Sequence, residues 1–170
     1  MLIVFDFIRF EWKVLFMRFY RAGIFWGLLF FTCGSGYAFS LKDTEGKIHQ
    51  LAELKNKWVV VNFWATWCAP CIKEIPDIAS FAKEQGSQVH VIGIAQDWDD
   101  AKQVSAFAKK VGLTYPLVLG DEGSEKTFGK MKGLPTTFIY DPSGKLVYQK
   151  TGTVTKQLLE KIIKEGKAPK

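Results

Sequence analysis

The chain is 170 residues long, with 48% hydrophobic and 24% charged residues, and it carries a formal net charge of +6 at pH 7. This length and composition fit one globular domain with a leader segment and exclude a second large domain. The lysines are spread along the chain rather than clustered, which is typical of solvated helix and turn surfaces and gives no indication of nucleic-acid binding.

Residues 1–38 have the pattern of an export leader. An apolar stretch follows Arg18 and Arg21, and small residues at Gly36 and Ala38 occupy the two positions that signal peptidase inspects. This pattern predicts a secretory signal peptide that is cleaved after Ala38. An uncleaved membrane anchor is the alternative, because the apolar stretch and the residues that follow it carry no charge.

Two further residues of the leader matter for processing. Met17 stands at a normal signal-peptide distance before the basic residues and is therefore a second candidate for the start of translation. Cys33 could carry a lipid, but the bulky Phe30 and Phe31 before it do not suit a lipoprotein signal. If Cys33 leaves with the leader, the mature chain keeps two cysteines and no odd thiol, as an oxidising compartment favours.

Beyond residue 38, short apolar runs alternate with segments of helical period. The turn at residues 43–46 predicts a hairpin of two short strands, and the apolar run Trp58–Trp64 predicts a central strand buried on both faces. The elements predicted after it are a helix over 69–85 kinked at Pro76, a strand over 89–95, a helix capped by Asp99 and Asp100, a strand over 115–119, a short helix over 125–128, paired strands over 136–140 and 145–150, and a helix over 155–165 before a polar tail. This alternation predicts an α/β domain over residues 39–170, with helices on both faces of the sheet.

Two thiols, Cys68 and Cys71, follow the predicted central strand at the start of the predicted helix. Free N–H groups and the positive end of the helix dipole stabilise a thiolate on the first cysteine at such a position. The second cysteine lies one turn further on the same face, where it can attack a mixed disulfide on the first and release the partner. The spacing therefore predicts thiol–disulfide exchange.

Other interpretations of the cysteine pair are weaker. A zinc site needs four ligands, and the remaining candidates, Cys33, His49 and His90, are not paired in sequence. A purely structural disulfide across two intervening residues closes almost no loop and constrains the unfolded chain little. Two thiolates can also hold Cu(I), so a binding or copper-handling module with little turnover stays open as an alternative function.

Two motifs carry a resemblance to a known family. They are Phe-Trp-Ala-Thr-Trp-Cys-Ala-Pro-Cys over residues 63–71 and Gly-Leu-Pro-Thr-Thr-Phe over residues 133–138. Through them, residues 39–165 resemble thioredoxin-like proteins, most closely the exported TlpA/ResA group of thiol-disulfide oxidoreductases. The resemblance implies a thioredoxin-like fold: a central mixed sheet, helices on both of its faces, and an N-terminal β-hairpin extension.

The resemblance also implies a substrate-docking surface around the cysteines. It implies a cis peptide bond between Leu134 and Pro135 that faces the thiols and leaves the Leu134 backbone available to an extended substrate segment. The residues alone favour the simpler interpretation that Pro135 starts an edge strand. Trp67, which precedes the first cysteine, is expected to shape the same surface.

Glu74 is the candidate proton acceptor. It lies three residues beyond Cys71 on the predicted helix, and partial burial there would raise its pKa and suit it to take the proton of Cys71. Its position alone equally allows an exposed helix glutamate; the resemblance to ResA-like proteins, whose matching glutamate is functional, favours catalysis. Asn62 stands where thioredoxins carry a buried aspartate, and because Asn cannot take a proton, Glu74 is the more credible base.

The sequence therefore predicts an exported thiol-disulfide oxidoreductase. The resemblance implies a reductant of disulfides in exported proteins, such as apocytochrome c, on the periplasmic or extracytoplasmic side of a bacterial membrane. It further implies recharging by a membrane thiol-electron donor of the CcdA/DsbD type. A disulfide-donating oxidant is the alternative direction. No metal, flavin or nucleotide motif stands out, so we expect no cofactor, and we expect a monomer.

Overall fold

The computed structural model describes residues 39–96, 98–129 and 131–166. The predicted leader, with Met17 and Cys33, lies outside the described residues, as does the end of the polar tail. Within the described ranges, no helix combines the length and the apolar character needed to cross a membrane.

A mixed sheet organises the described part of the chain. Its five strands are, in spatial order, β5 (Leu117–Leu119), β4 (Val89–Ala95), β3 (Trp58–Trp64), β6 (Thr136–Tyr140) and β7 (Leu146–Thr151). Strand β4 runs parallel to both β3 and β5, whereas β6 is antiparallel to both β3 and β7. The central strand β3 is buried along nearly its whole length, as its continuous apolar run predicts.

Helices cover both faces of the sheet. The helices are α1 (Ala69–Gln85), α2 (Ala101–Lys110), α3 (Glu122–Phe128) and α4 (Lys156–Glu165). One core joins α1, α2 and α4 to the face of β3 that carries Val60 and Trp64. A second core joins α3 and the N-terminal segment to the alternate residues of β3. The predicted α/β class and its helix placement are confirmed.

The N-terminal hairpin is also confirmed. It consists of β1 (Ser40–Lys42) and β2 (Ile48–Gln50), which pair antiparallel. The hairpin is fastened to the edge strand β5, because the N–H of Thr44 donates to the carbonyl of Leu117 at 2.8 Å and Asp43 forms an isolated bridge with Val118. The hairpin thus extends the compact domain rather than standing away from it.

Several element boundaries differ from the predicted ones for local reasons. Helix α3 begins at Glu122 rather than near residue 125, because Asp121 caps it: the Asp121 carboxylate accepts from the N–H of Ser124, and the Ser124 hydroxyl oxygen accepts from the N–H of Asp121. Asp99 and Asp100 are both predicted to cap α2, but the N-cap is Asp100, whose side chain accepts from the first free N–H groups of the helix. Helix α1, in contrast, has the predicted bounds and contains Pro76.

A buried chain of hydrogen bonds links the hairpin to the sheet, and the sequence did not predict it. Nε2 of His49 lies 2.7 Å from Oδ2 of Asp43, and Nδ1 of His49 lies 3.0 Å from Nε2 of His90 on β4. An ionised Asp43 only accepts, so Nε2 of His49 donates to it. His49 thus ties the turn of the hairpin to strand β4.

The environment of this chain shifts two pKa values. Burial acts to raise the pKa of Asp43, but hydrogen bonds from His49 and from two backbone N–H groups outweigh it and hold that pKa below 3.8. Burial, with smaller contributions from the charges of His49, Lys47 and Lys57, lowers the pKa of His90 from 6.5 to about 4. Both shifts make the free energy of unfolding larger at neutral pH than in acid.

We expect the protein to lose stability between pH 6.5 and about 4 through His90. The unfolded chain takes up a proton at the ordinary histidine pKa, whereas the folded chain resists it. Because solvent screens this part-buried ring, acidification across the window costs about 2 kcal/mol of the free energy of unfolding. The contribution of Asp43 is lost only at lower pH, because its pKa is lowered from 3.8. The His90→Gln variant keeps an N–H donor for His49 but does not titrate, so its stability should change less over this window.

Urea unfolding at a series of pH values between 4 and 7 measures this slope. Lys55→Gln, at an exposed position near the same end of the sheet, is the control and should keep the wild-type slope. An equal slope in His90→Gln and the wild type would contradict the assignment.

Candidate active site

Cys68 is the N-cap residue of helix α1. Strand β3 ends at Trp64, and a turn closed by a hydrogen bond from the N–H of Cys68 to the carbonyl of Ala65 delivers the chain to the helix. Sγ of Cys68 accepts from the N–H of Cys71 at 3.3 Å. Pro70 falls in the first turn, where a missing N–H removes no helical hydrogen bond. A thiolate on Cys68 would therefore have both a backbone donor and the helix dipole to stabilise it.

The two cysteines are joined by a disulfide, with their Cα atoms 5.3 Å apart. Their exposure differs: Cys68 keeps 4% of its surface accessible, whereas Cys71 is completely buried. The preceding Trp67 is 63% exposed, so a large aromatic surface lies beside the thiol that solvent reaches. A substrate disulfide can therefore approach Cys68 but not Cys71.

Pro135 lies at the same end of the sheet as the cysteines. Strand β6 is antiparallel to β3, with Thr136 opposite Phe63, so the residue before β6 comes next to the end of β3 from which Cys68 follows. The peptide bond between Leu134 and Pro135 is cis, as the resemblance implies. Pro135 is buried, and Leu134 packs against both cores.

Glu74 is buried, with 3% of its surface accessible, so the interpretation as an exposed helix glutamate is excluded. Its Oε1 accepts from Nδ2 of Asn62 at 2.7 Å, and its Oε2 accepts from the backbone N–H of Val154 at 2.7 Å. Nδ2 of Asn62 also donates to the hydroxyl oxygen of Thr137 at 3.1 Å. Glu74 thus connects α1, β3, β6 and the segment before α4.

Burial raises the pKa of Glu74 above its ordinary value. Hydrogen bonds from Val154 and Asn62 and the positive charge of Lys150 oppose this shift without cancelling it. A carboxyl group in this state exchanges a proton closer to neutral pH than an exposed glutamate does. It lies one turn beyond the buried Cys71, on the same helix face.

The structure also adds residues that sequence reasoning missed. Val154 donates its backbone N–H to Glu74, and the type of side chain gives no indication of such a bond. Lys150 on β7 lowers the pKa of Glu74 through its positive charge. The sequence identifies Asn62 only as the position of the thioredoxin aspartate, and its hydrogen bond to Glu74 follows from the structure. Within the described residues, no group of three or more His, Cys, Asp or Glu side chains is arranged to hold a metal ion.

Comparison with known proteins agrees with this geometry. The model of the AhpC/TSA family matches residues 36–149. Thiol-disulfide oxidoreductase ResA of Bacillus subtilis is 37% identical over 134 residues, which cover 75% of this chain and 73% of ResA. The crystal structure of a thioredoxin-family thiol:disulfide interchange protein from Chlorobium tepidum superposes with a TM-score of 0.68 at 32% identity, covering 75% of this chain and 92% of that chain.

A second solved structure has the same architecture. The pneumococcal exposed lipoprotein thioredoxin from Streptococcus pneumoniae superposes with a TM-score of 0.66 at 28% identity, over 75% of this chain and 98% of that chain. The fold, the Cys68–Cys71 disulfide at a helix start and these similarities agree with one another. The chain belongs to the AhpC/TSA family and is, within it, a thioredoxin-like thiol-disulfide oxidoreductase of the ResA type.

Proposed function

We propose that the protein works as an exported reductase of protein disulfides. The observation that carries this proposal is the position of Glu74: a buried carboxyl group, with its pKa raised by burial, lies one helical turn beyond the buried Cys71. Burial disfavours the thiolate of Cys71, so its attack on a mixed disulfide needs a proton acceptor nearby. Glu74 is suited to that task.

The reaction begins with the reduced pair. The Cys68 thiolate attacks one sulfur of a substrate disulfide, forms a mixed disulfide and releases the other substrate sulfur as a thiolate. Cys71 passes its proton to Glu74, and its sulfur attacks Sγ of Cys68, which closes the Cys68–Cys71 disulfide and releases the second substrate sulfur. Glu74 and solvent return the two protons to the substrate thiolates, so the substrate gains two electrons and two protons.

The docking surface consists of Trp67, Leu134 and Pro135. The exposed indole of Trp67 offers apolar contact beside Cys68, and the backbone of Leu134 is proposed to pair with an extended segment of the substrate. Buried Pro135, at the start of β6, fixes the direction of the substrate segment at this end of the sheet.

The exported setting agrees with the predicted leader and with the description of the pneumococcal relative as an exposed lipoprotein. Substrates would be disulfide-containing exported proteins, with apocytochrome c during cytochrome c maturation as an example. A membrane thiol-electron donor of the CcdA/DsbD type would return the Cys68–Cys71 disulfide to the dithiol. The proposal requires no cofactor and no second copy of the chain.

The reduction potential of the Cys68–Cys71 pair tests the direction of electron flow. Equilibration of the protein with glutathione buffers, followed by alkylation and mass measurement, gives the oxidised fraction. We expect a potential near or below roughly −230 mV, as for dedicated reductants, whereas a value near about −120 mV would make the protein a disulfide-donating oxidant.

The Cys71→Ser variant tests the order of attack. It should react with a peptide disulfide at Cys68 and stop at the mixed disulfide, which mass spectrometry detects, because no second thiol is present to release the partner. The matched Cys68→Ser variant should form little adduct, since Cys71 is completely buried. Normal turnover in Cys71→Ser would contradict the mechanism.

The Glu74→Gln variant tests the proton acceptor. In the wild type, the rate of resolution should fall as pH drops through the raised pKa of Glu74, because the protonated carboxyl cannot accept the proton. Loss of a general base costs about 100-fold or more in rate at neutral pH, and the acid limb should disappear with it. Stopped-flow release of a fluorescent thiol from the mixed disulfide measures both.

Glu84→Gln is the control on the same helix, since Glu84 lies at the surface, where it contacts Lys156. Thermal stability is measured alongside, because Gln supplies one acceptor oxygen where Glu74 meets two donors. If Glu74→Gln resolves as fast as the wild type with an unchanged acid limb, Glu74 is not the base.

A further inference from the structure

Three buried polar atoms on the α1 side of the sheet have no hydrogen-bond partner among the described residues. They are the hydroxyl of Tyr115, Nε1 of Trp64 and Oδ1 of Asn62. Buried polar groups in folded proteins are almost always paired, so three of them in one region point to a shared partner. The same Asn62 is the residue whose Nδ2 donates to Glu74.

The backbone at Gly93 brings these groups together. Gly93 on β4 lies opposite Asn62 on β3. A Cβ atom at Gly93 would lie 2.9 Å from Cε2 of Tyr115 and 3.4 Å from Nε1 of Trp64. The missing side chain therefore lets the Tyr115 ring and the Trp64 indole approach the same point of the strand, next to Asn62.

The Tyr115 hydroxyl is a donor at every pH at which the protein works. Burial and, to a smaller extent, the negative charge of Glu74 raise the pKa of Tyr115 far above its ordinary value, so the hydroxyl keeps its proton. On β7, the positive charge of Lys150 lowers the pKa of Glu74. Lys150 lies on the edge strand β7, whereas Tyr115 precedes the opposite edge strand β5, so the two groups can be varied separately.

The Glu74 carboxylate has acceptor capacity left for a further donor. Asn62 and the N–H of Val154 each use one lone pair, and an ionised carboxylate offers about four. A buried water needs two to four polar partners. One water that accepts from Tyr115 and Trp64 and donates to Glu74 and Oδ1 of Asn62 would satisfy all of these atoms.

We propose that Tyr115 is a positioning residue for Glu74, and that its hydroxyl donates through one internal water to the ionised carboxylate, with Trp64 and Asn62 as the other partners of that water. The proposal rests on the function proposed for Glu74. The hydroxyl stabilises the charged form against burial and so sets the pH at which Glu74 can take the proton of Cys71.

The Tyr115→Phe variant tests this role because it keeps the ring and removes the donor. Carbon-13 NMR of the glutamate side-chain carboxyls in the oxidised protein gives the pKa of Glu74 without any reaction. We expect that pKa to rise by about half to one unit in Tyr115→Phe. The acid limb of the resolution rate should move to higher pH by the same amount.

Tyr148→Phe is the matched control. Tyr148 packs against the same core, and burial raises its pKa with no contribution from Glu74. The Glu74 pKa should stay at the wild-type value in this variant. A residue that only fills space would leave the Glu74 pKa unchanged in both variants, and that result would overturn the proposal.

Replacing Tyr115 by 3-fluorotyrosine gives a second measurement with the opposite sign. The fluorinated phenol is a stronger donor of the same shape, so the pKa of Glu74 should fall, and this variant serves equally if Tyr115→Phe does not fold. An unchanged pKa would again reject the role of Tyr115. A wild-type rate of mixed-disulfide resolution in Glu74→Gln would reject Glu74 as the base. A shift of the Glu74 pKa in the Tyr115 variants would still show that Tyr115 acts on Glu74.

Discussion

The need to satisfy one buried carboxyl group determines how the active-site helix sits on the sheet. Removing Glu74 from water is costly unless its oxygens are hydrogen-bonded, and the two donors come from β3 and from the segment that precedes α4. These bonds join parts of the chain that are 12 and 80 residues distant from Glu74 in sequence. Helix α1 is thus held in one orientation, with Cys71 sealed against the core and Cys68 at its open end.

The strand–helix junction supplies the complementary constraint. Because β3 is central and buried, its end is fixed in space, and the turn after Trp64 places Cys68 at the N-cap with little freedom. The backbone N–H of Cys71 then points to Sγ of Cys68. The arrangement gives the two thiols unequal surroundings, one facing backbone donors and solvent, the other facing apolar side chains and a carboxyl group.

Much of this could be predicted from the sequence, and what could not has a physical reason. Apolar runs and helix caps predict the strands and helices. The spacing of Cys68, Cys71 and Glu74 predicts that they share one helix. The N–H of Val154 could not be found, since any residue can supply it. Tyr115 depends on a close approach at Gly93, and the Asp43–His49–His90 chain joins residues whose proximity follows only from the packed hairpin. Such contacts are consequences of the tertiary fold.

His90 and the disulfide lie at opposite ends of the sheet. His90 is opposite Val59 near the start of β3, whereas Cys68 follows its end. Proteins open locally in contiguous units, and the acid-sensitive contact here joins His49 of the N-terminal hairpin to His90 at the start of β4. In an acidifying compartment, the hairpin would therefore loosen first where His49 meets His90, and electron exchange at Cys68 would outlast this first loss of structure.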